Sequence, residues 1–144
     1  MKFLPAIALV AAGAAPAPAE QWYMVGSGGT APTRQVQFVD RASLTTTADG
    51  KRSIREARYL ETSPIPGVVA LRVTARVDCN ARTMTVTRGE RIWEDGNAVA
   101  DTIVTGRTFP LSESVRLVAC ADDWSRTTPA IGPLHDIARR VLAR

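Results

Sequence analysis

The residues Val68 to Asp78, VVALRVTARVD, decide the fold. Val69, Leu71, Val73, Ala75 and Val77 alternate with Val68, Ala70, Arg72, Thr74, Arg76 and Asp78. A period of two, with β-branched residues on the apolar side, predicts a strand with one face in a core and one in water. Cys79 continues the apolar parity, so its sulfur is expected to point inward. Asn80-Ala81 turns the chain. Arg82 to Arg88 (RTMTVTR) alternates again, with Met84 and Val86 inward and Thr83, Thr85 and Thr87 outward, and the pattern continues more loosely to Trp93. Asp95-Gly96 is a hairpin signal, and Ala98 to Thr105 (AVADTIVT) reads as the next strand.

Upstream, Glu20 to Val25 (EQWYMV) forms a first strand that Gly26-Ser27-Gly28-Gly29 breaks. Arg34 to Arg41 (RQVQFVDR) alternates around Val36 and Phe38. Residues 51–61 (KRSIREARYLE) stay open between two readings: their composition favours helix, whereas their turn-bounded neighbours favour strand. Downstream the period changes. Leu111, Val115, Val118 and Ala119 share one helix face over Leu111 to Ala121, with Ser112 as N-cap. Pro133 to Ala143 is a second helix, with Leu134, Ile137, Val141 and Leu142 as its stripe. Strand, tight turn, strand is the order of an antiparallel meander.

The chain has 144 residues, 45% of them hydrophobic and 22% charged, values that exclude disorder and collagen-like repeats. Residues 1–19 have the layout of an export signal: Lys2, a short apolar stretch from Phe3 to Ala12, then a small-residue tail. Two Ala-x-Ala sites compete there. Cleavage after Ala17 would place Pro18 just past the scissile bond, so the cut is expected between Ala19 and Glu20. Residues 20–144 then form one domain, with no apolar run long enough to span a membrane as a helix. Export argues against nucleic acid as a partner. Lys+Arg number 18 and Asp+Glu 14, a balance of +4 that can favour anionic partners. The plainer reading is that the arginines, spread along the chain, solvate it.

One His and two Cys exclude most all-protein zinc sites, and neither a metal nor a cofactor is expected. An even cysteine count in a small exported chain favours a bond between Cys79 and Cys120; two free buried thiols are the alternative. Closing that loop would stabilise the fold by roughly 4 kcal/mol if chain entropy alone is counted.

Several segments together resemble the bacterial surface-adhesin protein E-like family. They are Trp22, Phe38 to Leu44 (FVDRASL), Val77 to Met84 (VDCNARTM), Arg91 to Val99 (RIWEDGNAV), and Phe109 to Ser114 (FPLSES) running on to Ala119-Cys120. The likeness spans Trp22 to Cys120, and the order of the pieces carries it rather than any single piece. Unlike some family members, the chain has no cysteine near its start to carry a lipid, which makes the periplasm as well as the cell surface an expected location. The resemblance implies an exported antiparallel sheet with a disulfide-tethered helix, and adhesion to matrix proteins. The predicted fold class is therefore α+β: a meander of five to six strands, a short tethered helix and a C-terminal helix.

No catalytic constellation is expected. His135, the sole histidine, reads as a surface residue, and Glu94-Asp95 and Asp122-Asp123 read as solvated turns. Gly26 to Gly29 lacks the Lys and Ser/Thr of a phosphate loop. Trp93 is expected in the core, while Trp124, in a loop, is open between core and sugar platform. Arg72 and Arg76, outward on the central strand, are the candidate binding residues for an anionic ligand, unless the C-terminal helix covers that face. The expected function is a non-catalytic envelope module binding a protein or polysaccharide of the envelope or extracellular matrix. A periplasmic inhibitor or ligand carrier is the alternative, and a large apolar cavity would mark a carrier.

Overall fold

In the computed structural model, which describes residues 19–144, Val73, Ala75 and Val77 lie at the centre of the core. The predicted export signal falls outside the described residues except for Ala19. Their strand, β4 (Val68–Asp78), sits in an antiparallel sheet with β1 (Trp22–Gly28), β2 (Gln35–Thr46), β3 (Arg52–Leu60), β5 (Thr83–Trp93), β6 (Ala98–Ala100), β7 (Thr108–Pro110) and β8 (Thr128–Pro129). The spatial order is β6-β5-β4-β3-β2-β1-β8, with β7 also on β5, and the sheet does not close. The helices are α1 (Glu113–Cys120) and α2 (Leu134–Leu142).

The central meander and both helices fall where the period-two and helical patterns predicted them. The count of five to six strands is too low, because β7 and β8 are three and two residues long and leave no periodic trace. Of the open segment 51–61, Arg52–Leu60 form strand. β3 pairs with β2 on one side and β4 on the other, and these ladders override the helix-favouring Arg, Glu, Ala and Leu of the segment.

The expected strand Ala98 to Thr105 stops at Ala100. Asp101 ends it: the Ile103 N–H (2.9 Å) and Val104 N–H (3.3 Å) donate to its Oδ1, and Arg91 Nε donates to its Oδ2 (2.9 Å). Such a side chain offers the backbone a turn in place of a ladder. β1 runs through Gly26 rather than breaking at it. A Cβ there would lie 2.9 Å from Ser114 Oγ, so the glycine lets α1 approach the sheet.

Both faces of the sheet are partly covered. On one, Val39, Ile54, Val73, Ala75, Val77, Met84 and Val86 pack against Val115, Val118 and Ala119 of α1. On the other, Val36, Phe38, Ala57, Tyr59, Ala70 and Ile92 pack beneath α2, around Ala138. The expectation of one wet face is corrected accordingly: Val68 and Ala70, assigned to water, are 8% and 0% exposed. The Leu134, Ile137, Val141 and Leu142 stripe needed a surface and took this end of the face.

Candidate binding site on the open sheet face

What α2 leaves uncovered is the other half of its face. Thr74 and Arg72 of β4 stand opposite Arg55 and Ala57 of β3, and opposite Arg88 and Glu90 of β5. The β5 side depends on a bulge. Thr74 pairs with Arg88 and Ala75 with Val86, so Thr87 is the extra residue, its hydroxyl donating to the Thr74 carbonyl (3.1 Å). A bulge inverts the facing of everything beyond it. Arg88 and Glu90 thereby join Arg72, which the simple alternation from Met84 would not allow.

Arg55, Arg72, Thr74, Arg88 and Glu90 line a cleft of about 280 Å³. Two of its arginines have carboxylates. Arg55 Nη1 lies 2.8 Å from Glu20 Oε1 and 3.5 Å from Asp40 Oδ2, with its guanidinium 5.5 Å from the Trp22 ring centroid. Arg88 Nη2 lies 3.0 Å from Glu90 Oε1. Arg72 is different. It is half-buried, forms no ion pair among the described residues, and its Nε is buried without a hydrogen-bond partner. Its charge still acts on its surroundings. Glu20 sits below the usual carboxylate range, first through the Trp22 indole N–H and, against the opposing effect of burial, through Arg55 and Arg72. Burial pushes the Tyr59 hydroxyl up, and Arg72 offsets only part of that.

Arg76 shares the face but not the cleft. It is exposed and pairs with Asp49 at 3.7 Å. The two arginines singled out on β4 are thus not brought together, and Arg55 and Arg88 are the neighbours the sequence reading missed. The bulge at Thr87 has no sequence signature beyond the loosening of the pattern toward Trp93.

The opposite face holds a second concavity, of about 380 Å³, between the sheet, α1 and the segment 104–112. Its lining is mostly apolar, and Glu56 of β3, with Gln37 and Arg58 beside it and Ser112 elsewhere in the wall, supplies the polar part. Glu56 is 2% exposed. Its Oε1 accepts from Gln37 Nε2 (2.6 Å) and Arg58 Nη2 (3.0 Å), while its Oε2 has no partner. Leaving a buried acceptor unsatisfied costs about 1–3 kcal/mol. Helix-like composition around Glu56 hid this buried carboxylate from a sequence reading.

The remaining candidates fall as follows. Cys79 and Cys120 are bonded, with Cα atoms 5.8 Å apart, joining the end of β4 to the end of α1. His135 is only partly at the surface: it is half-buried, its ring 6.1 Å from that of Tyr59, with Nδ1 buried and unpartnered. Glu94-Asp95 lies in a turn and Asp122-Asp123 in the loop after α1, and three of these carboxylates are engaged locally, Asp122 by the Trp124 indole (2.8 Å), Asp123 by Ser125 (2.6 Å) and Asp95 by Asn97 (2.8 Å). Trp93 is half-buried. Trp124 is too, edge-on to Tyr23 at 5.2 Å and 4.9 Å beneath the Arg41 guanidinium.

Among the described residues no helix is long and apolar enough to cross a membrane. No protein-family model matches the chain, and neither a curated protein nor a solved structure matches it.

Proposed function

We propose that the protein is an exported, non-catalytic binding module of the bacterial envelope, similar in kind to surface-adhesin protein E. It holds an anionic group of an envelope or matrix polysaccharide or protein on the open half of the α2 face. One observation carries this reading: Arg72 has an unpartnered, buried Nε and no carboxylate of its own, and it shares a cleft with Arg55 and Arg88. A planar guanidinium in that position offers charge-assisted hydrogen bonds to a sulfate, phosphate or carboxylate. The Cys79–Cys120 bond supports residence in an oxidising compartment, periplasm or cell surface. The order of segments from Trp22 to Cys120 supports the likeness to the adhesin.

Dextran sulfate binding tests the reading, measured at rising salt for the wild type and for Arg72→Ala, Arg72→Ala/Arg88→Ala and Arg76→Ala. The double variant should bind at least about tenfold more weakly, with a shallower salt dependence. Arg76→Ala, whose arginine already pairs with Asp49, should change binding less. Equal binding by wild type and double variant would overturn the assignment.

A further inference from the structure

The cavity on the α1 face combines two properties that seldom occur together by accident. Leu71, Val73, Met84, Val86, Val104 and Val115 give it an apolar wall. Into that wall is set a carboxyl group more than nine-tenths buried, one of whose oxygens accepts no hydrogen bond. Buried polar atoms are nearly always paired, and an exception in a concave apolar pocket marks a place for a ligand donor. From this we infer a second site: the cavity binds a small uncharged amphiphile, an apolar chain or ring carrying one hydroxyl or amide N–H that donates to Glu56 Oε2.

The uncharged head follows from the local charges. Glu56 is already paired with Arg58 at 3.0 Å, so the head of the pocket holds one carboxylate and one guanidinium. A cationic head would meet Arg58, and an anionic one would meet the bare oxygen of Glu56. A neutral donor supplies what Oε2 lacks and leaves the ion pair intact. The size agrees, since a volume of about 380 Å³ lies in the lower part of the range of small-molecule pockets. The site is independent of the Arg72 cleft: α1 covers one face of the sheet, and the cleft opens on the other.

The test uses four probes of similar length: 1-octanol, heptyl methyl ether, octylammonium and octanoate. Each is titrated into the ¹⁵N-labelled protein. Octanol should bind saturably, with amide shifts centred on Val73, Val86, Val104 and Val115. The ether, which has no donor, and the two ions should each bind at least about tenfold more weakly, as a site with a polar group to satisfy demands. Glu56→Gln should narrow the octanol-to-ether ratio. Val104→Trp fills the cavity from the loop side and should abolish octanol binding while the protein stays folded. Arg72→Ala should leave octanol binding unchanged, so this site and the anion cleft can fail separately. Equal binding of ether and octanol, tighter binding of either ion, shifts centred elsewhere, or no saturable binding up to the solubility limit would each overturn the assignment.

Discussion

Removing the Cys79–Cys120 bond by the double substitution Cys79→Ala/Cys120→Ala should destabilise the protein by roughly 4 kcal/mol. The two residues are 41 positions apart, and the loop between them contains β5, β6, β7 and most of α1. Untying that loop returns its closure entropy to the unfolded chain. The native state should change much less. α1 has eight residues, too few to persist alone, so its survival depends on docking. That docking does not need the sulfurs. Val115 and Val118 are each 1% exposed, and burying a valine stabilises by about 1.5–3 kcal/mol. The Leu111 N–H donates to the Arg82 carbonyl (2.9 Å), Arg52 Nε to the Ala119 carbonyl (3.1 Å), and the Val115 N–H to Ser112 Oγ (3.4 Å). Urea unfolding followed by tryptophan fluorescence reads the two effects apart. The midpoint should fall, while the slope rises only as far as a freer unfolded chain exposes more surface. Reduced wild-type protein should unfold at the midpoint of the double variant. A loss below about 1 kcal/mol would refute the loop-entropy account. Loss of α1 protection in native-state hydrogen exchange would instead show that the bond holds the helix in place.

Two further substitutions probe the segment after β6. Gly89→Ala should destabilise by about 1–3 kcal/mol in the same urea assay, because a Cβ there would lie 2.3 Å from Val104 Cγ1 and 3.1 Å from the Asp101 carbonyl oxygen; an unchanged midpoint would mean the loop gives way freely. Asp101→Asn should make stability less steep in acid. Burial raises the Asp101 carboxyl, but the Arg91 hydrogen bond and the Ile103 and Val104 N–H groups outweigh it and hold the group below its ordinary range. A carboxyl depressed by folding stabilises above its unfolded value, about 3.9, and that contribution fades as pH falls further through the folded value. Wild type should therefore lose stability below about pH 4 more sharply than the variant, and parallel acid curves would count against the Arg91–Asp101 pair.

Alternation made β4 legible, and with it the inward set Val73, Ala75 and Val77 and the inward parity of Cys79, while the even cysteine count pointed to its bond with Cys120. Ser112 was legible as an N-cap because a hydroxyl before an apolar helical stripe has few other uses. What escaped a sequence reading is what pairing decides. β3 carries helix formers and is a strand only because β2 and β4 claim its backbone on both sides. β7 and β8 are too short to have a period. The candidate sites follow the same division. Arg72 was visible as an outward arginine on a regular strand, whereas Arg88 reaches it only through the bulge at Thr87, and the depth of Glu56 depends on α1 and the 104–112 segment folding over it.

The placement of α2 links these observations. A sheet buried on one face alone would expose Val36, Phe38, Tyr59 and Ile92 together, an apolar patch of the size that drives association. α2 removes that patch, but its nine residues span only about 14 Å, so it covers one end of strands that are up to twelve residues long. The uncovered end must then be polar. Asp40, Arg55, Arg72, Thr74, Arg88 and Glu90 occupy it; Glu20 and Asp40 pair with Arg55, and Glu90 pairs with Arg88. Arg72 stands at the boundary, next to the covered Ala57 and Ala70 positions and close enough to Tyr59 and Glu20 to act on both. A guanidinium there is partly desolvated by the helix-covered half and left without a carboxylate by the open half. That position gives an incoming anion a stronger interaction than a fully solvated arginine would offer.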